Sequence, residues 1–228
     1  MIQKEIKIFG KTIDLTLRNE GDLSIANELF LDHQYRFCDE VIKNAKSSIL
    51  DIGGHLGFFS LYAALLNSKV PLYSFEPHIG NYEILKKNIK QNRIKNVTPK
   101  NLALDKEMKQ MKLQISQEDL NHSTIRAIEP TGESQSIQTT TLERIFYKNR
   151  IEKCDLIKID CEGSEFDIIY NAPKEIFNKT SNIFLEYHDW IEGENSNKLK
   201  DFLKNQGYKV EKYPNNKMKE LGFMWCTK

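Results

Sequence analysis

Ile49-Leu50-Asp51-Ile52-Gly53-Gly54-His55-Leu56-Gly57 is the stretch on which the fold of this chain turns. An aliphatic run ends at an acid, glycines follow, and a second apolar run opens at Phe58. The pattern predicts a buried strand over Ser48–Ile52, a glycine turn, and a helix over Phe58–Leu66. In an open α/β sheet that turn is where a nucleotide-like ligand sits, because a residue without Cβ lets the backbone approach it closely. The spacing is D-x-G-x-x-x-G, whereas a dinucleotide phosphate cradle reads G-x-G-x-x-G. The later glycine positions of that cradle are unmet. The acid ahead of the turn repels phosphate and suits a cationic ligand group.

Working outward, strand and helix patterns alternate. Val70–Phe75 reads as a strand ending at Glu76-Pro77. Ile79–Gln91 is an amphipathic helix with Ile79, Tyr82, Leu85 and Ile89 on one side. Val97–Leu102 is a third strand, and Met111–Ile115 and Ile137–Thr141 are short extra ones. Asp155–Ile159 is a central strand, followed by a short helix over Glu165–Tyr170 and a strand over Asn182–Tyr187. Lys198–Asn205 is a helix with Gly207 past its end. Tyr208–Tyr213 and Leu221–Cys226 close the chain as a hairpin. Repeated βα units predict a mostly parallel sheet with helices on both faces, and the final hairpin an antiparallel edge. Upstream, residues 4–17 alternate as a small β-hairpin, and Ser24–Asn44 carries one or two helices. The polar stretch 116–135 reads as a long loop, either a lid or binding loop or merely a disordered surface insertion.

The 228 residues suit a single domain, with residues 1–45 as an N-terminal extension and 46–228 as the core. A net charge of +1 gives no basic field for nucleic acid. No apolar run is long enough to span a bilayer and no signal-peptide core is present, so the expected location is cytoplasmic. The four cysteines are scattered without a C-x-x-C pair, against a zinc knuckle or a disulfide framework.

Ligands in such sheets bind beyond the carboxyl ends of the strands. The strand ends carry Asp51, Glu76, Asn101, Asp160 with Glu162, and Glu186 with His188. Glu76 stands about twenty residues past the glycine turn, where an acid accepts from ribose hydroxyls. Asn101-Leu102-Ala103 offers small residues and an amide edge for a flat base. Asp160 and Glu162 are placed to hold a substrate hydroxyl, accept its proton or bind a cation. Glu186 and His188 are two apart on a strand and share a side. His188 is the histidine best suited to general base catalysis. His55 lies inside the glycine turn, and His122 in the lid. Glu165 reads as ordinary helix charge. Tyr35 and Tyr187 read either as core or as an aromatic wall over a substrate.

Asp51-Ile52-Gly53-Gly54-His55-Leu56-Gly57-Phe58-Phe59-Ser60, Phe75-Glu76-Pro77, Asn101-Leu102-Ala103-Leu104, and the block from Asp155 through Ile157-Lys158-Ile159-Asp160-Cys161-Glu162-Gly163-Ser164-Glu165 together resemble the FkbM family of methyltransferases. The likeness runs over about residues 20–190, and its last block is the most specific. It implies a Rossmann-like, seven-stranded methyltransferase fold, S-adenosylmethionine as donor, and a hydroxyl acceptor on a sugar or a polyketide-type product. By position, Asp51, Gly53 and Gly57 would shape the methionine end, Glu76 would take the ribose, Asn101–Ala103 would line the adenine, and Asp160 would lie near the methyl group. Gly54, His55 and Pro77 complete the expected cofactor contacts, although Gly54-His55 stand where the family has Ala-Asn.

The resulting expectation is an O-methyltransferase acting on a small hydroxylated acceptor, most naturally a saccharide. Asp160, His188 and Glu162 are its candidate catalytic groups. A divalent metal on Asp160, Glu162 or Glu186 is an open alternative for activating the hydroxyl. The rivals are an NAD-dependent sugar oxidoreductase or epimerase, which shares the strand, turn and ribose acid, and a non-catalytic module retaining the fold.

Overall fold

A computed structural model describes residues 1–31, 34–116, 130–216 and 218–228. In chain order the elements are β1 (Ile2–Ile8), β2 (Lys11–Leu17), α1 (Glu20–Phe30), α2 (Asp39–Asn44), β3 (Ile49–Ile52), α3 (Phe58–Leu66), β4 (Leu72–Phe75), α4 (Ile79–Gln91) and β5 (Val97–Lys100). There follow β6 (Ala103–Leu104), β7 (Gln110–Ser116), β8 (Pro130–Thr140), α5 (Leu142–Lys148), β9 (Cys154–Ile159), α6 (Glu165–Tyr170), α7 (Lys174–Lys179), β10 (Thr180–His188), α8 (Ser196–Asn205), β11 (Lys209–Pro214) and β12 (Leu221–Thr227).

Seven strands form the main sheet in the order β11-β12-β10-β9-β3-β4-β5. From β10 through β5 the pairings are parallel, and β12 is antiparallel to both β10 and β11. From β3 the chain winds out to β4 and β5, then crosses back to β9 and β10. Two crossovers therefore diverge between β3 and β9, which opens a crevice above their carboxyl ends.

Strand alternation divides the core into two layers. Ile49, Leu72, Leu156 and Phe184 pack with α1, α2, α3 and α4 on one face. Leu50, Ile52, Ile157, Ile159, Ile183 and Leu185 pack with α5, α6, α7 and α8 on the other. The same period of two carries Asp51, Lys158, Asp160, Glu186 and His188 to the first face. Tyr187 belongs to the opposite layer, so it forms no wall with Tyr35, which packs against Phe59 and Phe184.

Several sequence expectations change. The expected strand Val97–Leu102 breaks after Lys100, because Ala103-Leu104 leave the main sheet to pair with Thr139-Thr140 of β8. A separate three-stranded sheet, β6-β8-β7, results. Pro99 fits β5 because that strand lies at the edge of the main sheet. Of the expected loop 116–135, residues 130–135 are strand; residues 117–129, with His122, lie outside the described residues, as does His33. Two helices escaped the sequence reading. α5 is capped by Thr141, whose hydroxyl accepts from the Arg144 N–H at 3.1 Å, and α7 starts just after Pro173. Ile79, expected on the buried side of α4, is 47% exposed, while Leu85 and Ile89 are buried.

The N-terminal hairpin docks on α4 by an unusual means. A strand edge leaves unpaired backbone groups that need partners. Asn88, fully buried on α4, receives the Thr16 N–H at 2.8 Å and donates to Thr16 O at 3.2 Å and Leu56 O at 2.9 Å. Asn92 likewise receives the Asp14 N–H and donates to Asp14 O. Side-chain amides thus take the place of a neighbouring strand.

Candidate active site

A cavity of about 390 Å³ opens over the carboxyl ends of β3, β4, β9 and β10. One end is walled by Gly53–His55, Glu76-Pro77 and Leu102–Leu104, with Leu113 of the small sheet behind. The other is lined by Asp160–Glu162, Glu186, His188 and Trp190. Tyr35, Phe58 and Phe59 close one side. Of the residues expected at the cofactor, Asp51, Gly57 and Asn101 do not line the cavity.

The glycine turn is tight for reasons of packing as well as ligand approach. Gly53 has φ +80°, and a Cβ there would stand 1.7 Å from the Asp160 carbonyl oxygen. At Gly54 a Cβ would meet Ser74 Oγ at 2.3 Å. The neighbouring strands β9 and β4 therefore demand glycine at both positions. Gly57, at φ +87°, starts α3 against Leu85.

Asp51 is fully buried beneath this turn. Its Oδ2 accepts from Ser60 Oγ at 2.6 Å and Ser74 Oγ at 3.0 Å, and its Oδ1 makes no hydrogen bond. Lys158 Nζ lies 3.4 Å from that oxygen, donates to Gly53 O at 2.8 Å, and reaches Asp160 at 3.7 Å. The cation expected beside Asp51 is thus supplied by the protein's own lysine. Burial lowers the Lys158 pKa, but Tyr35, Asp160 and Asp51 outweigh it and raise the value, so the ammonium stays charged. Sequence reasoning gave Lys158 no role; its only signal was a cation set between Ile157 and Ile159 in the strand.

Glu76 is 5% exposed and lines the cavity. It accepts from the His55 N–H and the His78 N–H, each at 2.8 Å. Burial pushes its pKa up to about 7, partly opposed by those hydrogen bonds. Asn101 spends its amide on Glu76 O and Pro77 O, at 2.9 and 2.8 Å, so it braces the turn and its neighbours Leu102 and Ala103 face the cavity. Gln135 of β8 clamps the same turn, donating to Pro77 O and accepting the Ile79 N–H. His55, at φ +47°, is tied to the N-terminal extension: Arg18 meets its Nε2 at 2.8 Å while also gripping Asp22 and Asn81. Burial and the Arg18 charge depress the His55 pKa to about 3, leaving a neutral ring that accepts from the guanidinium. Neither Arg18 nor Gln135 carried a sequence signal, since their partners are remote in the chain.

At the far end, one oxygen each of Asp160 and Glu186 and a ring nitrogen of His188 lie within 4.8 Å of one another. Glu162 approaches His188 Nε2 at 3.6 Å from a turn in which Glu162 and Gly163 both take positive φ. Glu165, read from sequence as helix charge, is fully buried. Its Oε1 accepts the His188 backbone N–H at 2.9 Å and meets Nδ1 of the ring at 3.0 Å, and its Oε2 accepts the Gly163 N–H. Burial lowers the His188 pKa, but Glu165, Glu162 and Glu186 push it up to about 10. His188 is thus held between carboxylates, with Glu165 at Nδ1 and Glu162 facing Nε2. Burial raises Glu162 to about 7 and Glu186 well above the ordinary carboxylate value, with Asp160 adding to both.

The strand order, the glycine turn and the acid after β4 define a class I methyltransferase fold. A family model described as "Methyltransferase FkbM domain" matches residues 51–210, and the chain belongs to the FkbM family of S-adenosylmethionine-dependent methyltransferases. A relative named Methyltransferase 1, from Beauveria bassiana (strain ARSEF 2860), is 22% identical over 184 residues, spanning 72% of this chain and 73% of that protein. Two solved structures share the fold. Precorrin-6y C5,15-methyltransferase from Geobacter metallireducens GS-15 has a TM-score of 0.50 and 13% identity, over 85% of this chain and 86% of that one. Methyltransferase FkbM from Methylobacillus flagellatus KT has a TM-score of 0.53 and 15% identity, over 79% of this chain and 43% of that one. The family membership sets aside the oxidoreductase and non-catalytic alternatives. No helix among the described residues is long and apolar enough to cross a membrane.

Proposed function

We propose that this enzyme methylates a hydroxyl group of a small polyhydroxylated acceptor, most naturally a saccharide. The observation carrying the proposal is the division of the cavity into two chemically distinct ends. At one end Glu76, with its oxygens held by backbone N–H groups, suits a ribose diol, and Leu102–Leu104 with Leu113 suit a flat base. At the other, Asp160, Glu162 and Glu186 offer acceptors to the hydroxyl donors of a sugar, and Trp190 and Tyr35 offer apolar faces.

Bound S-adenosylmethionine supplies an electrophilic methyl: an acceptor oxygen forms the new C–O bond while the C–S pair returns to sulfur, leaving a neutral thioether. The chain's own residues align and deprotonate the acceptor. Asp160, fixed above Gly53 at the end of β9, and Glu162 take the hydroxyl proton. His188 and Lys158 balance the carboxylate charge around it. Holding the reactants in line is worth up to roughly 7–11 kcal/mol in favourable systems.

The test is a mass-shift screen of the purified chain with S-adenosylmethionine against sugars, phenols and amines. A gain of one methyl on a sugar hydroxyl, suppressed in Asp160→Asn with S-adenosylhomocysteine binding retained, is expected. Methylation confined to amine acceptors, or full turnover by Asp160→Asn, would overturn the proposal.

A further inference from the structure

We propose that the acceptor end of the cavity is a divalent-cation site formed by Asp160, Glu186 and His188, with Glu165 as the group that orients the histidine. The donor set comes from the ends of two adjacent parallel strands, β9 and β10, so its backbone frame is rigid. An ion with metal–ligand bonds of ~2.1 Å places its ligand atoms about 3–4 Å apart. The three atoms here already lie within 4.8 Å of one another, and small side-chain rotations close the set.

An acidic group alone would not point to a metal; the histidine does. The His188 side chain is 2% exposed, and its Nε2 faces Glu162 Oε2 at 3.6 Å. The ring's other nitrogen is engaged by the fully buried Glu165 at 3.0 Å. A carboxylate behind one ring nitrogen, with the other aimed at a cluster of carboxylates, is how proteins fix the tautomer and direction of a metal-ligating histidine. Two carboxylates and one imidazole form a mixed oxygen and nitrogen set, which favours a divalent first-row transition ion over magnesium.

Lys158 is held by Asp51 at 3.4 Å and the Gly53 carbonyl at 2.8 Å, and is 3.7 Å from Asp160, so the resident ammonium has its own partners beside the ion's. The remaining coordination positions face the cavity. The role assigned to the ion rests on the methyl-transfer reading: it would hold the acceptor oxygen and lower its pKa, so that the hydroxyl proton leaves to Glu162 before the oxygen bonds to the methyl carbon. The binding site itself does not depend on that reading.

Titration of the full chain with Mn²⁺, followed by electron paramagnetic resonance and calorimetry, tests the proposal. One Mn²⁺ per chain is expected, with nitrogen modulation of its spin echo from His188. Glu186→Gln and His188→Gln should each weaken binding at least about a hundredfold, and Glu165→Gln by about 10–100-fold, as for other groups behind a ligating histidine. Asp167→Asn, at a half-buried acid paired with Lys106, should leave Mn²⁺ affinity unchanged. Circular dichroism checks the fold of each variant; should one fail to fold, the nitrogen modulation in the unaltered protein still decides. Failure to bind Mn²⁺ at millimolar concentration, absence of nitrogen modulation, or equal affinity in folded Glu186→Gln and His188→Gln would overturn the site. Parallel titration with S-adenosylhomocysteine separates the two readings. Its binding without Mn²⁺ binding sinks the metal site alone, and Mn²⁺ binding without it sinks the methyl-donor assignment alone.

Discussion

Replacing Lys158 by methionine isolates the interaction on which the centre of the site rests. The lysine side chain is 4% exposed and Asp51 is fully buried. Asp51 Oδ2 keeps its two serine hydroxyls after the change, but Oδ1 loses the Lys158 ammonium 3.4 Å away. Gly53 O also loses a charged donor. Methionine fills similar volume, so the cost is electrostatic rather than a cavity. Removing one partner of a buried ion pair costs about 3–5 kcal/mol, because the other charge is left uncompensated. At roughly 2–4 °C per kcal/mol for a chain of this size, Lys158→Met should lower the melting temperature by about 6–20 °C. Urea unfolding followed by circular dichroism gives the free energy directly. Asp51→Asn in the Lys158→Met background should recover part of the loss, with a coupling energy of about 1–3 kcal/mol in a double-mutant cycle. A loss below about 1 kcal/mol for Lys158→Met, or strict additivity of the two changes, would refute the assignment of Lys158 as the counter-ion of Asp51.

Two further outcomes follow from the same geometry. Gly53→Ala combines left-handed backbone strain of about 1–2 kcal/mol with a Cβ placed 1.7 Å from the Asp160 carbonyl, so it should yield unfolded protein or one that no longer binds S-adenosylhomocysteine; near-native stability would refute the packing argument. Glu76 should make that binding pH-dependent. Its pKa in the folded, unliganded chain is about 7, above the ordinary 4.5, so its contribution to unliganded stability is present below about 4.5 and lost as the pH rises through 7. Ribose hydroxyls need the ionised carboxylate, so affinity should fall by up to ~tenfold per pH unit below 7. Glu76→Ala should bind at least about tenfold more weakly and lose that slope, as read by calorimetry; an unchanged affinity or slope would remove the ribose role.

The local pattern was legible in the order of residues. Period-two alternation in β3, β9 and β10, the glycine turn, and acids at strand ends are local properties of the chain, and they placed Asp160, Glu162, Glu186 and His188 on one side of the sheet. Gly53 and Gly54 were also legible as glycines that matter, though the full reason is the Asp160 carbonyl and Ser74 pressing from adjacent strands. For Asn101 the order of residues leaves a base contact and a plain turn residue both open; its two backbone acceptors become its partners only when the turn after β4 folds over it.

Charge state and pairing were decided by the tertiary structure. Lys158 meets Asp51 across 107 positions of chain only because β3 and β9 pair in parallel register. Glu165 faces His188 because α6 packs at the end of β10, and burial removes the water that would screen them. Asn88 substitutes for a strand because the N-terminal hairpin lies on α4. The sequence alone determined which residues stand at the sheet's carboxyl edge, since backbone periodicity acts over a few residues. Which of them are charged, paired or turned toward the cavity depends on desolvation and on contacts between distant segments, and those exist only once the chain has folded.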